Sequence, residues 1–342
     1  MTASGGRRRA TRPAQPEQPP ERRRQRVVVT GGAGLVGRAI VQRLRDRGDT
    51  VVALVRDPTR APHLEELGAE LQQSDLSNVN ALTELLQGAD AAIHAAGSYR
   101  VGIPRSEHGA MWDANVGTTT RLLDAVEQAK TPKVVYISTC NVYGNTKGVI
   151  VDETYRRDLR EGFLSWYDET KYGAHEVAEQ RIKGGTPVVI VLPSQVYGPG
   201  DRTTVGEQLW LAFKGRLRYR ALDDVGLGFV HSEDLAAGIV AALDQEGVGE
   251  RYNLAGPSIR LGEAIALAAS VGGRRPPRLR MPTTLLRLST PISGVIGQPN
   301  LGEVISASAG VTYWASAEKA RAGLGFAPRD LEQGFRDTFG IG

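Results

Sequence analysis

The sequence has a single cysteine, Cys140. One thiol cannot close an intrachain disulfide, so a disulfide framework is excluded and a reducing, cytoplasmic setting is expected. Histidine is scarce at five residues, scattered along the chain, and no metal site is expected from them. No run reaches 18 apolar residues, which excludes a transmembrane helix by hydropathy. Lysine is scarce too, with 7 against 35 arginines. That imbalance is read as coding bias and not as function.

What is abundant is glycine, at 41 of 342 residues, much of it between apolar runs. A hydrophobic share of 41% and a charged share of 23% allow a full core. The formal charge is +4, but it is unevenly placed. Residues 1–26 hold eight arginines and two glutamates, so the rest of the chain carries −2. That segment is rich in Arg, Pro and Gln and has little to bury, so it is expected to be a disordered tail. A slightly acidic body argues against a specific nucleic-acid binder.

From Val27 short β-branched runs alternate with helical stretches. Strands are expected at 27–30, 51–55, near Leu71, and at 91–94, 134–138 and 188–192. Helices are expected at 35–47, 63–67, 80–87, 115–128 and 167–180. Wholly apolar strands between amphipathic helices predict an α/β fold: a doubly wound parallel Rossmann sheet. The rhythm changes after Pro199. Helices at 207–213, 234–243 and 261–269 and short strands at 217–219 and 251–254 suggest a smaller C-terminal α/β substrate lobe. The organisation expected is tail 1–26, dinucleotide-binding domain 27–199 and lobe 200–342, the last interleaved with the main sheet. The apolar stretch 285–296 contains Arg287 and Pro291 and reads as a lobe helix, not an anchor.

Thr30-Gly31-Gly32-Ala33-Gly34-Leu35-Val36-Gly37 follows the first strand and opens a helix. Gly31 suits a tight turn, Gly34 a close approach to a pyrophosphate, and Gly37 tight helix–strand packing. The N–H groups of Leu35 and Val36 at the helix start would face the anion. The second strand ends Val55-Arg56-Asp57. Arg56 at the tip would favour the 2′-phosphate of NADP, and a strand one residue longer would present Asp57 and favour NAD. NADP is the expectation, with NAD possible.

Tyr167 and Lys171 stand four residues apart at a predicted helix start and share a face. An ammonium beside a phenol lowers its pKa, and such a tyrosine can exchange a proton with a carbonyl or alcohol. The strand 134–138 ends on Ser138-Thr139, at the edge where open α/β sheets hold ligand groups.

These motifs resemble the extended short-chain dehydrogenase/reductases, the NAD-dependent epimerase/dehydratase family. The resemblance runs over nearly all of 27–340. It includes the glycine loop, Asp75-Leu76, His94-Ala95-Ala96, Asn115-Val116-Gly117-Thr118, Thr139 before Val142-Tyr143-Gly144, and Tyr167/Lys171. Pro193–Asp201 and Phe229–Asp234 complete it. It implies Tyr167 as acid/base, Lys171 on the nicotinamide ribose, Thr139 polarising the substrate oxygen with Ser138 as the lesser candidate, and Asn115 supporting a proton relay. It places Asp75 and Leu76 by the adenine, Ala95 beside the cofactor, and Pro193 and Ser194 on the nicotinamide side. It also implies a homodimer through the Asn115 and Tyr167 helices. His94 and His231 are expected to be structural, and Asp234 a helix N-cap.

Two departures bear on the chemistry. Cys140 and Asn141 stand where 4,6-dehydratases of the family tend to carry an Asp-Glu pair. Gly226-Leu227-Gly228 stand where many nucleotide-sugar enzymes place an arginine, although Arg216, Arg218 and Arg220 lie upstream. The surroundings look like the dihydroflavonol-reductase and 3β-hydroxysteroid-dehydrogenase-like branch. The expected activity is hydride transfer between the nicotinamide and a small-molecule ketone, aldehyde or secondary alcohol. The alternative is a nucleotide-sugar 4-epimerase with bound NAD.

Overall fold

The computed structural model describes residues 23–293 and 300–341, and the side chains of 289–293 are not described. Most of the expected tail lies outside the described residues. Its last residues do not behave as tail. Arg26 already belongs to the first strand, and its N–H donates to Asp90 at 2.7 Å.

The apolar runs form β1 (Arg26–Thr30), β2 (Thr50–Val55), β3 (Glu70–Gln73), β4 (Ala91–His94), β5 (Val134–Ile137) and β6 (Val188–Pro193). A seventh strand, Arg251–Leu254, returns from the C-terminal half and pairs with β6. All seven are parallel, with the order 251–254, β6, β5, β4, β1, β2, β3. The expected doubly wound Rossmann sheet is therefore present. Val27, Val28, Val29, Val52 and Ile93 are wholly buried, as strands covered on both faces require.

The helices of this half are α1 (Leu35–Asp46), α2 (Pro62–Glu66), α3 (Val79–Leu86), α4 (His108–Trp112), α5 (Thr118–Ala129) and α6 (Trp166–Lys183). α3, α5 and α6 pack in sequence along one face, while α1 packs against Ser232–Asp244 on the other. The strand order reverses between β1 and β4, so the carboxyl ends of these strands form the crevice where such sheets bind ligands.

The lobe has its own core around Tyr197, Leu209, Phe229, Ile265 and Phe335. Its small sheet centres on Gly226–His231, flanked by Gln195–Tyr197, Ser258–Arg260 and Thr312–Tyr313. Two expectations fail locally. The segment 217–219 is not a strand: pairing starts at Arg220, which runs parallel to Arg280. A single helix over 115–128 is also not observed. Asp113–Gly117 form a π-helical turn between α4 and α5, a wider ring that side-chain periodicity does not reveal. The expected helix 285–296 is present as Thr283–Ser293, and its last three positions lie outside the described residues.

Candidate active site

The glycine loop leaves β1 at the crevice. Gly31 has φ of +71°, and a Cβ there would lie 2.6 Å from the backbone of Ala95 and Ala96. A Cβ on Gly37 would collide with the carbonyl oxygen of Gly31, so helix and loop meet backbone to backbone. Gly34 is exposed and is the N-cap of α1, with no side chain capping the helix. The first N–H groups of α1 are thus left for an outside acceptor, beside a loop whose only side chain is the Ala33 methyl.

β2 ends at Val55, which places Arg56 immediately past the tip. Asp57 is committed elsewhere. Its carboxylate accepts from the Thr59 N–H at 3.1 Å and the Thr59 hydroxyl at 2.6 Å, capping the next turn. Asp75 is exposed, and its carboxyl is held below the usual carboxylate range by bonds from the Ser77 hydroxyl and N–H. Leu76 takes φ of +62°, and its carbonyl accepts from Arg121 at 2.7 Å.

The centre of the site is a contact between β5 and one stripe of α6. Ser165 caps α6, accepting from the Asp168 N–H at 3.0 Å, so the helix begins at Trp166 and Tyr167 lies in its first turn. Tyr167, Lys171, His175 and Glu179 follow at four-residue steps along one face. Each of the first three reaches the end of β5. The Thr139 hydroxyl lies close enough to the Tyr167 phenol to favour its ionised form. Lys171 Nζ donates to the carbonyl of Ile137 at 3.3 Å. His175 Nδ1 lies 3.0 Å from Ser138 Oγ. Glu179 then holds His175 on one side and Arg251 on the other.

This ladder separates the two candidate hydroxyls. Ser138 belongs to His175, and Thr139 faces Tyr167. The electrostatics differ from the sequence expectation. The Tyr167 phenol is pushed up, not down, first by burial and then by Tyr99, whose ring meets it edge-on at 4.8 Å. Lys171 is equally buried, which lowers it to about 8. Desolvation sets both directions because both groups sit away from water.

Asn115 lies in the π-helical turn and is buried. Its Oδ1 accepts from the Ser98 N–H at 2.7 Å, and its Nδ2 donates to the Ser98 carbonyl and to Thr170 Oγ1 at 2.9 Å. The amide ties the loop after β4 to α6 and spends both of its hydrogens doing so. Ala95 stands at the start of that loop, its N–H on the Thr30 carbonyl at 3.2 Å. Pro193 ends β6, and the Ser194 hydroxyl beside it is buried without a hydrogen-bond partner. An orphaned buried hydroxyl, an uncapped helix start and a glycine-rich loop along one crevice fit a dinucleotide.

Both histidines expected to be structural are so. His94 is buried between Thr30 (2.7 Å) and Thr119 (3.1 Å), and burial lowers its pKa to about 3. His231 caps the helix Ser232–Asp244 through Nδ1, 3.3 Å from the Glu233 N–H. This corrects the expectation for Asp234: the cap is His231, and Asp234 instead pairs with Arg329 at 2.8 Å. Among the described residues no group of His, Cys, Asp or Glu is arranged to hold a metal. No helix among them is long and apolar enough to cross a membrane. Of the four tryptophans, Trp166 approaches the site and stacks on His108 at 4.3 Å, while Trp112 and Trp210 are exposed.

With this geometry in place the comparisons are decisive for the family. Residues 27–255 match the model of the NAD dependent epimerase/dehydratase family. The chain belongs to that family. A 2-alkyl-3-oxoalkanoate reductase of Stenotrophomonas maltophilia is 28% identical over 342 residues, spanning 91% of this chain and 97% of the relative. The crystal structure of gox2253 superposes with a TM-score of 0.80 at 28% identity, covering 93% and 97% of the two chains. The UDP-glucuronic acid 4-epimerase of Bacillus cereus, solved with UDP-glucuronic acid and NAD, shares the fold. Its TM-score is 0.74 at 22% identity, over 92% of this chain and 98% of the epimerase. The protein is thus an enzyme of this family, on its reductase or epimerase side.

Proposed function

We propose that the protein is an NADP-linked oxidoreductase acting on a ketone, aldehyde or secondary alcohol of low charge. The observation that carries this reading is a buried Tyr167 phenol beside the Thr139 hydroxyl, which also accepts from the Asn141 N–H at 3.2 Å, with Lys171 on the adjoining carbonyl of β5. The bound nicotinamide would supply or accept the hydride. Thr139 Oγ orients and polarises the substrate oxygen, and Tyr167 Oη gives it a proton in reduction or takes one in oxidation. Lys171 carries positive charge to the strand end below the phenol, which favours phenolate as the proton leaves. Asn115 acts as a positioning residue, because both amide hydrogens are spent on Ser98 and Thr170 and its Oδ1 holds the Ser98 N–H.

The substrate reading rests on the strand Gly226–His231. It is wholly buried and offers no cation where a sugar diphosphate would need one. Arg220, one of the upstream substitutes, is drawn to Asp223 at 3.5 Å. The 28% identical reductase supports the same side of the family. NADP is favoured over NAD because Arg56 occupies the tip of β2 while the Asp57 carboxylate is spent on Thr59. Gly31, Gly34, Leu35, Val36 and Gly37 would hold the pyrophosphate, Asp75 and Leu76 the adenine side, and Ala95, Pro193 and Ser194 the nicotinamide side.

The test is a carbonyl-substrate screen followed by absorbance at the reduced cofactor, with NADPH and NADH compared. Turnover with NADPH that Tyr167→Phe cuts by about a thousandfold is expected. Full activity of Tyr167→Phe overturns the acid/base assignment. A strong NADH preference overturns that of Arg56. Interconversion of a UDP-sugar without net cofactor change overturns the reductase reading.

A further inference from the structure

The net charge of −2 outside the tail conceals a strongly basic face of the lobe. The segments 214–220 (KGRLRYR) and 274–280 (RRPPRLR) contain eight cations and no acid. They are far apart in sequence, and the structure lays them side by side. Arg220–Ala221 pairs in parallel with Arg280–Met281, and the Arg274 side chain packs over Gly215. Asp223 draws two of these cations inward, with Arg280 at 2.7 Å and Arg220 at 3.5 Å. Lys214, Arg216, Arg218, Arg274, Arg275 and Arg278 remain exposed, and no acidic side chain among the described residues pairs with them.

Apolar side chains are exposed in the same two segments. Tyr219 is 45% exposed and Leu279 63%. The helix Thr283–Ser293 follows Arg280 directly and adds Leu285 and Leu288, 53% and 75% exposed. A duplex nucleic acid would use the arginines but offers nothing to projecting leucines. A bilayer surface uses both: phosphates and anionic headgroups for the cations, and the acyl boundary for the apolar side chains.

We propose that this face docks the protein on the surface of an anionic phospholipid bilayer. The contact is peripheral. The helix Thr283–Ser293 packs on Leu301–Ser306, where Glu303 accepts from the Trp166 N–H. Trp166 precedes Tyr167, so the docked face adjoins the candidate site.

The experiment floats the full-length chain with vesicles of phosphatidylcholine alone or with about 30% phosphatidylserine, at low and high salt. Binding only to the anionic vesicles, weakened by salt, is expected. The variant Arg274→Ser/Arg275→Ser/Arg278→Ser should lose about a hundredfold in affinity at an unchanged melting temperature. Its N-terminal arginines are intact, so the tail is controlled for. Leu285→Ser/Leu288→Ser should also weaken vesicle binding while leaving retention on a heparin column unchanged. Vesicle binding that either variant leaves undiminished overturns the proposal. So does a preference for double-stranded RNA over anionic vesicles.

Discussion

Arg157 and Asp168 form a bidentate ion pair, at 2.8 and 3.1 Å, with side chains only 5% and 2% exposed. The guanidinium also donates to the Gly162 carbonyl at 2.9 Å and lies over the Phe163 ring at 4.6 Å. The second carboxylate oxygen of Asp168 accepts from the Leu164 N–H at 3.0 Å. This one contact fastens the loop 157–164 to the residue next to Tyr167. Removing the cation leaves a buried carboxylate uncompensated. Arg157→Met is expected to cost about 3 kcal/mol in urea unfolding, with Asp168→Asn in the same chain recovering part of it. A loss below about 1 kcal/mol would show that water reaches the pair.

Lys171 gives a stability prediction of opposite sign. Burial lowers its pKa from 10.5 in the unfolded chain to about 8. Below about pH 8 both states hold the proton, and the folded state bears the full cost of a buried ammonium. Between about 8 and 10.5 the folded chain sheds its proton first, so this group's contribution to stability rises with pH. Lys171→Met should therefore stabilise the protein at neutral pH, by on the order of 2 kcal/mol, while abolishing turnover. Denaturant midpoints of both proteins at neutral pH and near pH 10 check it. Equal differences at the two pH values would contradict it.

His175 is expected to act through Ser138 and not on substrate. His175→Leu removes the partner of Ser138 Oγ and lets the end of β5 move against α6. We expect kcat to fall about tenfold with KM within about twofold, because the loss is in alignment of Thr139 with Tyr167. His175→Gln, which can still bond Ser138, should restore most of it. Equal loss in both variants would argue for a general packing role.

Gly37→Ala tests the cradle. The added methyl meets the Gly31 carbonyl oxygen, so the loop must shift away from α1. NADPH affinity, followed by cofactor fluorescence, is expected to drop by more than about tenfold, with a stability cost of about 2 kcal/mol. Unchanged affinity would place the pyrophosphate elsewhere.

Much of this was legible in the chain itself. Val27–Val29, Val51–Val55 and Ala91–Ile93 are wholly apolar and short, as strands buried on both faces are. The glycine spacing and the Tyr167/Lys171 pair are local patterns as well, so the fold, the family and the crevice followed from sequence. What sequence left open needed contacts between distant residues. Ser138 and Thr139 are neighbours with the same chemistry, and the strand's alternation decided between them by sending one to His175 and the other to Tyr167. Arg56 and Asp57 were separated only by the bonds that Thr59 makes to Asp57. Asp234 lost its capping role to His231 because the helix starts at Ser232, which puts Asp234 inside the first turn, where Arg329, 95 residues away, claims its carboxylate. The direction of the Tyr167 pKa depended on burial, which no spacing encodes. The basic face arose from two segments whose charges sequence alone averages into a net of −2. Periodicity is local and survives in a one-dimensional reading; desolvation and charge juxtaposition are set by packing, and only the folded chain decides them.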